Sequence, residues 1–262
     1  MRTPQVVKLL IVNASLSIGL VAGGQAQATT ITVTDTGAAN FGSGSVGYGG
    51  TGWIAPNPDS NTAQADVYIG GDSFTSTNNT FSFSSTGQFN AWCVDIYHWM
   101  SNSATYTVDT GSDLATELNT LRPGTPNGAT RVTQLLELAD EVYSSVDTAT
   151  TSAAFQLAVW EITYGTQNAA GIYQINSTDP NFNVDSGTVS SAYGVLANTW
   201  LDNLGTAENT GNYTLTYLSD GTQGSTQDVV VFTDPPAVPE PASLALVALG
   251  LAGLGFARRK KS

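Results

Sequence analysis

Two apolar stretches, one near each end and each flanked by basic charge, decide how much of this chain is available to a folded domain. Near the C-terminus, the run from Ala242 to Ala257 has Ser243 as its one polar residue and carries no charge. Arg258, Arg259, Lys260 and Lys261 follow at once. As a helix the run rises about 1.5 Å per residue, roughly 24 Å in all. That is short of a hydrocarbon core of about 30 Å, by an amount that snorkelling basic side chains make up. A core helix is seldom followed directly by a block of cations. The pattern therefore predicts a short transmembrane helix with its basic end in the cytoplasm. At the other end, Arg2 and Lys8 precede the apolar stretch Leu9 to Ala22, and Ala26-Gln27-Ala28 offers a small-x-small cleavage site. This is the pattern of a secretory signal peptide over 1–28.

The C-terminal segment, 238–262, resembles the PEP-CTERM sorting signal of Gram-negative bacteria that make exopolysaccharide. The residues that carry the resemblance are Val238, Pro239, Glu240, Pro241, the apolar span, Arg258 and Arg259. The resemblance implies recognition by an exosortase and cleavage near Pro239-Glu240-Pro241. It implies a transient stay in the inner membrane, then release to, or retention at, the cell surface or extracellular matrix. Both ends are processing information and drop out of fold reasoning.

What remains, 29–237, suits one domain or two small ones. It holds two cations, Arg122 and Arg131, against twenty acids, a net charge of −18 with no lysine. Such a field repels nucleic-acid phosphates and anionic headgroups. It favours cations, basic partners or neutral glycans. No Asp-x-Asp-x-Asp-Gly loop occurs, so no metal site is named, and no cofactor motif is present. The glycine-rich stretch Gly42 to Gly52 lacks the Lys-Ser/Thr ending of a phosphate loop and reads as flexible.

Strand-like alternation marks Thr29–Asp35, Asn79–Phe83, Thr105–Val108, Asn212–Leu218 and Gln227–Phe232. The middle of the chain has helical spacing instead. One helix is predicted from a Ser112 cap to Leu121, and a second from a Thr130 cap through Leu135, Ala139 and Val142. A third spans Ser152 to Tyr164, and a fourth Thr188 to Leu204, before Gly205. Strands, then four helices over about 112–205, then strands predict an α+β fold. It would be a mostly antiparallel β-domain with a helical insertion.

Cys93 is the one cysteine, and an exported thiol needs an explanation. Three readings stand open: a small buried core residue, an intermolecular disulfide, or an internal bond to something other than cysteine. The third Ser152–Tyr164 helix bears on the choice. It is apolar almost all round and so expected to be buried, yet it contains Gln156. A buried carboxamide without partners costs about 1–3 kcal/mol. Strand backbone, Thr163 or the thiol are the candidates to satisfy it.

Phe89-x-x-Trp92-Cys93-x-Asp95 and Phe155-Gln156-Leu157-Ala158-Val159-Trp160-Glu161 together resemble bacterial thioester domains, modules of surface adhesins. That resemblance spans about 89–165. It implies a thioester-domain-like fold in which the Cys93 thiol and the Gln156 carboxamide join as an internal thioester. Trp92, Asp95, Ala158, Trp160 and Glu161 would support the motif. Phe155 stands where the family has threonine.

His98 is five residues beyond Cys93, on the opposite face if the strand runs straight, so a Cys–His pair within one strand is not expected. No carboxylate pair or Ser-His-Asp spacing stands out either, and the chain is expected not to be an enzyme. Asp95 and Glu161 have Arg122 or Arg131 as cationic partners to find, or they cap and hold the motif. Trp53, Trp92, Trp99, Trp160 and Trp200 read as core, with Trp53 in its Gly/Pro surroundings the best platform for a sugar. The sequence thus points to an exported protein of adhesion or matrix interaction. Its partners would be extracellular polysaccharide or a host or neighbour surface protein. The alternative is a non-covalent carbohydrate-binding or structural matrix module with Cys93 in the core.

Overall fold

The computed structural model describes residues 29–40, 50–55, 65–76, 83, 86–124, 126–205, 210–220 and 226–235. The expected signal peptide, the C-terminal membrane helix and the sorting residues Val238 to Pro241, Arg258 and Arg259 lie outside them. No helix among the described residues is long and apolar enough to cross a membrane.

Six strands come before the helices: β1 (Thr29–Ala38), β2 (Gly50–Ala55), β3 (Ala65–Ile69), β4 (Asp72–Ser76), β5 (Gln88–Cys93) and β6 (Ser103–Asp109). Then come α1 (Ser112–Leu121), α2 (Gly128–Val142), α3 (Ala149–Tyr164), β7 (Asn183–Val184), α4 (Ser186–Ser190) and α5 (Ala192–Asn203). Strands β8 (Thr214–Ser219) and β9 (Val229–Thr233) follow. The strands close into a barrel in the order β1-β4-β5-β9-β8-β6, and β3-β2-β7 form a separate small sheet. Every pairing is antiparallel. The helical insertion between two sets of antiparallel strands agrees with the pattern in the sequence. Closure into a barrel, which removes exposed strand edges, was not legible there.

In β1 the alternation is literal: Ile31 and Val33 face the core while Thr34 is exposed. Thr32 and Thr105 hydroxyls meet across β1 and β6 at 2.9 Å, a cross-strand pair of the kind that fixes register. β9 reads differently. Val229, Val230, Val231 and Phe232 are all buried, because the strand has the barrel interior on one side and packed side chains on the other. The strand expected over Asn79–Phe83 is not found at its one described residue, Phe83. The rest of that stretch lies outside the described residues, while β4, which does stand in the barrel, has five residues and too short an alternation to stand out.

Helix α3 is the central element. Every residue from Ser152 to Tyr164 is buried, as a helix apolar on all sides requires. It begins earlier than expected, at a Thr148 cap that forms a reciprocal capping box with Thr151. Ser152 instead accepts a hydrogen bond from the Gly71 amide at 3.0 Å, tying α3 to the start of β4. Phe155 packs edge-on against Trp92 with ring centroids 4.7 Å apart, and Tyr143 and Phe232 complete an aromatic cluster. A threonine at 155 would leave that cluster with a gap.

The long fourth helix is broken in two. Ser191 is extended, and its hydroxyl accepts from the Gly194 amide at 3.0 Å, capping α5 anew. Helix α2 likewise starts before Thr130, at Asn127, whose side-chain oxygen accepts from the Thr130 amide. Ser112 is the first residue of α1 and not its cap; Gly111 precedes it at φ 62°, a left-handed conformation suited to glycine.

Helices α1 and α2 cross at Gly128, where an added Cβ would lie 2.0 Å from the Ala115 carbonyl oxygen. That oxygen belongs to helix backbone and cannot withdraw. Gly128→Ala is therefore expected to destabilise the protein by about 3 kcal/mol through overpacking, read by urea denaturation. A change under about 0.5 kcal/mol, the range of an ordinary surface substitution, would show that the crossing is not close.

Candidate functional site

Cys93 ends β5, and its strand neighbours differ on the two sides. On one side it pairs with Val229 of β9. On the other, β4 stops pairing at Asp72 opposite Ala91, which leaves the next backbone groups of β5 without a strand partner. Gln156 fills that position. Its Oε1 accepts from the Cys93 amide at 3.0 Å, and its Nε2 donates to the Cys93 carbonyl at 2.8 Å. A side-chain carboxamide thus completes the ladder, with Gln156 fully buried. Thr163 is not its partner; that hydroxyl donates back to the Val159 carbonyl of α3.

The thiol turns elsewhere. Cys93 Sγ donates to Gln227 Oε1 at 2.9 Å and lies 3.7 Å from Asp72 Oδ2. Burial pushes the thiol well above its ordinary range, and the Asp72 carboxylate beside it pushes further. The thiolate, the reactive form, is thus disfavoured at rest.

Above the thiol opens a cleft of about 200 Å³ whose lining includes Cys93, Asp72, Gln227, Asp35 and Trp160. Trp99 and Tyr68 also line it, and they are 45% and 68% exposed. Trp99 was expected in the core. It follows the motif in an irregular segment, where no periodicity separates a buried ring from an exposed one. The side chain of Trp53, in β2, lies outside the described residues, while Trp92 and Trp200 are buried as expected.

The support residues of the motif act in different ways. Trp92 is fully buried and donates its indole N–H to the Tyr143 hydroxyl at 3.3 Å. Ala158 is buried without exposure. Trp160 is 2% exposed, packs near Phe182, and its Nε1–H has no hydrogen-bond partner.

Asp95 finds neither arginine. It accepts from the Tyr97 amide at 2.8 Å and pairs with His98 Nδ1. This corrects the strand-based placement of His98: β5 ends at Cys93, and the chain turns before His98, so strand alternation does not apply. His98 stays partly exposed, bonded to Asp95 rather than to the thiol. The arginines serve helix ends. Arg131 is 2% exposed and donates to the Leu118 and Arg122 carbonyls at the end of α1. Arg122 donates to the Tyr164 carbonyl at 3.4 Å.

Glu161 is the outlier. It is fully buried, and neither carboxyl oxygen has a full hydrogen bond. Burial, with Asp179 nearby, raises it to about 8, and the Gln174 backbone gives only a partial offset. Folding therefore favours its protonated form. Among the described residues no group of three or more metal-ligating side chains comes together.

Residues 237–261 match the family described as the PEP-CTERM protein-sorting motif, which implies export and exosortase-dependent sorting. No curated protein and no solved structure matches the chain.

Proposed function

We propose that this is an exported, exosortase-processed surface protein that captures its target covalently, through an internal thioester between Cys93 and Gln156. The observation that carries this reading is the clamp of the Gln156 carboxamide on the Cys93 backbone. The Cys93 N–H already points at Oε1, the atom that becomes an oxyanion when the carbonyl is attacked. Asp72 is near enough to the thiol to take its proton. Sγ, rotating away from Gln227, adds to Cδ of Gln156. The tetrahedral intermediate collapses, the C–N bond breaks, and Nε2 leaves as ammonia with the proton returned from Asp72. The S–C bond replaces the C–N bond without any change of oxidation state. An outside amine or hydroxyl then opens the thioester, giving an amide or ester and releasing the thiol. The event happens once per molecule, so the protein is a binding module and not an enzyme. A chain without lysine between its targeting segments offers no side-chain amine to consume the bond. Adhesion to a neighbouring surface or to extracellular polysaccharide is the role this reading assigns to that chemistry.

Intact-mass measurement on the processed protein tests the bond. A deficit of about 17 Da, one ammonia, is expected and should vanish in Cys93→Ala. Full mass with a titratable thiol overturns the reading. That outcome would favour a second one, in which the protein binds without a covalent step and Cys93 is a core residue. The thiol's hydrogen bond to Gln227 supports this alternative.

A further inference from the structure

The capture chemistry leaves one contact of the thiol without a role. Cys93 Sγ donates to Gln227 Oε1 at 2.9 Å, while Gln156 is bonded to the Cys93 backbone. Gln227 reaches the thiol from a well-anchored segment just before β9. Its amide donates to the Trp99 carbonyl at 3.2 Å, and its own carbonyl accepts from the Tyr106 hydroxyl at 3.0 Å. On one side of it, Thr226 Oγ1 accepts from the Ser101 amide at 2.9 Å. On the other, the Asp228 carbonyl accepts from the Val94 amide at 3.0 Å. Residues 226–228 are thus fastened one after another to the stretch between Val94 and Tyr106. This frame presents the Gln227 carboxamide to the thiol.

We propose that Gln227 is a latch on the Cys93 thiol, a positioning residue that sets when the thiol can reach Gln156. The timing role rests on the capture reading; the hold on the thiol does not. An amide oxygen accepts the S–H bond but does not take the proton away, so this contact favours the neutral thiol over the thiolate. It also fixes the direction of Sγ. Before Sγ can add to the Gln156 carbonyl, the bond to Gln227 has to open and the proton has to pass to Asp72, whose Oδ2 is 3.7 Å away. Gln227 lines the cleft and is only partly buried, so its side chain has space to turn away from the thiol. Delay has a chemical use here. An acyl–sulfur bond made before the surrounding fold excludes water would be hydrolysed. Two other roles for Gln227 give different expectations. A side chain that only fills space is replaceable by methionine without effect on the thiol. A general base has to take up the proton, which a carboxamide does not do.

Two substitutions test the latch in opposite directions, on the full chain made by cell-free synthesis. Iodoacetamide alkylation is followed by intact mass, which scores only chains that still carry the thiol. Gln227→Met nearly keeps the volume and removes the acceptor. Its thiol is expected to alkylate about fivefold faster than the parent's, the worth of one ordinary hydrogen bond. Gln227→Glu adds a negative charge to the field that Asp72, Asp95 and Asp35 already set at the thiol, and should alkylate more slowly than the parent. Loss of ammonia over time, read from the same masses, should follow the same order. Alkylation of Gln227→Met within about twofold of the parent, too little for a lost hydrogen bond, would overturn the latch, as would faster alkylation of Gln227→Glu. The two readings fail separately. Ammonia lost at one rate from all three proteins, with alkylation unchanged, keeps the thioester and removes the latch. Alkylation in the expected order, with no ammonia lost from any of them, keeps the latch on the thiol and removes the thioester.

Discussion

Gln156→Met is expected to lower stability by about 2–6 kcal/mol, because it orphans the buried amide and carbonyl of Cys93 at about 1–3 kcal/mol each. Methionine nearly preserves the volume, so little of the loss comes from a cavity. At roughly 2–4 °C per kcal/mol for a chain of this size, the melting temperature should fall by about 10 °C. The same variant cannot form the thioester, so its mass must be that of the processed chain with no ammonia lost. The two readouts separate structure from chemistry. A melting temperature within a degree or two of the parent would mean that the carboxamide is not the ladder partner described.

Protonation of Glu161 gives the second large effect. Its carboxyl is raised from 4.5 to about 8 in the folded protein, first by burial and then by Asp179. The folded state therefore holds this proton more tightly than the unfolded state does. Stability from this group is fully present below about pH 4.5 and is lost as pH rises towards 8, at most about 1.4 kcal/mol per pH unit. The loss across the window is on the order of 4 kcal/mol. Asp228, raised to about 6 chiefly by burial, adds a smaller decline at the acid end of the same range. Glu161→Gln carries no proton to lose. It should remove most of the slope and melt higher than the parent at pH 8, with little difference at pH 5. Equal pH profiles for the two proteins would mean that the carboxylate finds a partner in solution. The space around it is tight: a Cβ on Gly165 would lie 2.1 Å from its Oε1.

The parts of the site that sequence revealed are those with local or compositional signals. α3 announced its burial by being apolar all round, and Gln156 stood out against that background. A buried carboxamide needs partners, and the backbone of Cys93 supplies both of them. What did not show depends on distance along the chain. Asp72 and Gln227 meet the thiol from 21 and 134 residues away, and neither sits in a motif. Closure of the barrel depends on β4, which is too short to show a period, and on pairings with no turn signal between the partners. Asp95 was expected to seek an arginine because cations were scarce. A turn just after β5 gave it His98 instead, and a turn of that kind is not visible while the segment is read as a straight strand.

β9 also relates the cleft to the place where the chain leaves the barrel. Its first residue, Val229, lies beside Cys93, while its last, Thr233, pairs with the first residue of β8. The strand therefore runs from the cleft towards the point where the chain departs for its sorting motif, roughly 13 Å at about 3.3 Å per residue. The cleft residue Cys93 and the chain's exit towards the motif therefore lie at opposite ends of β9.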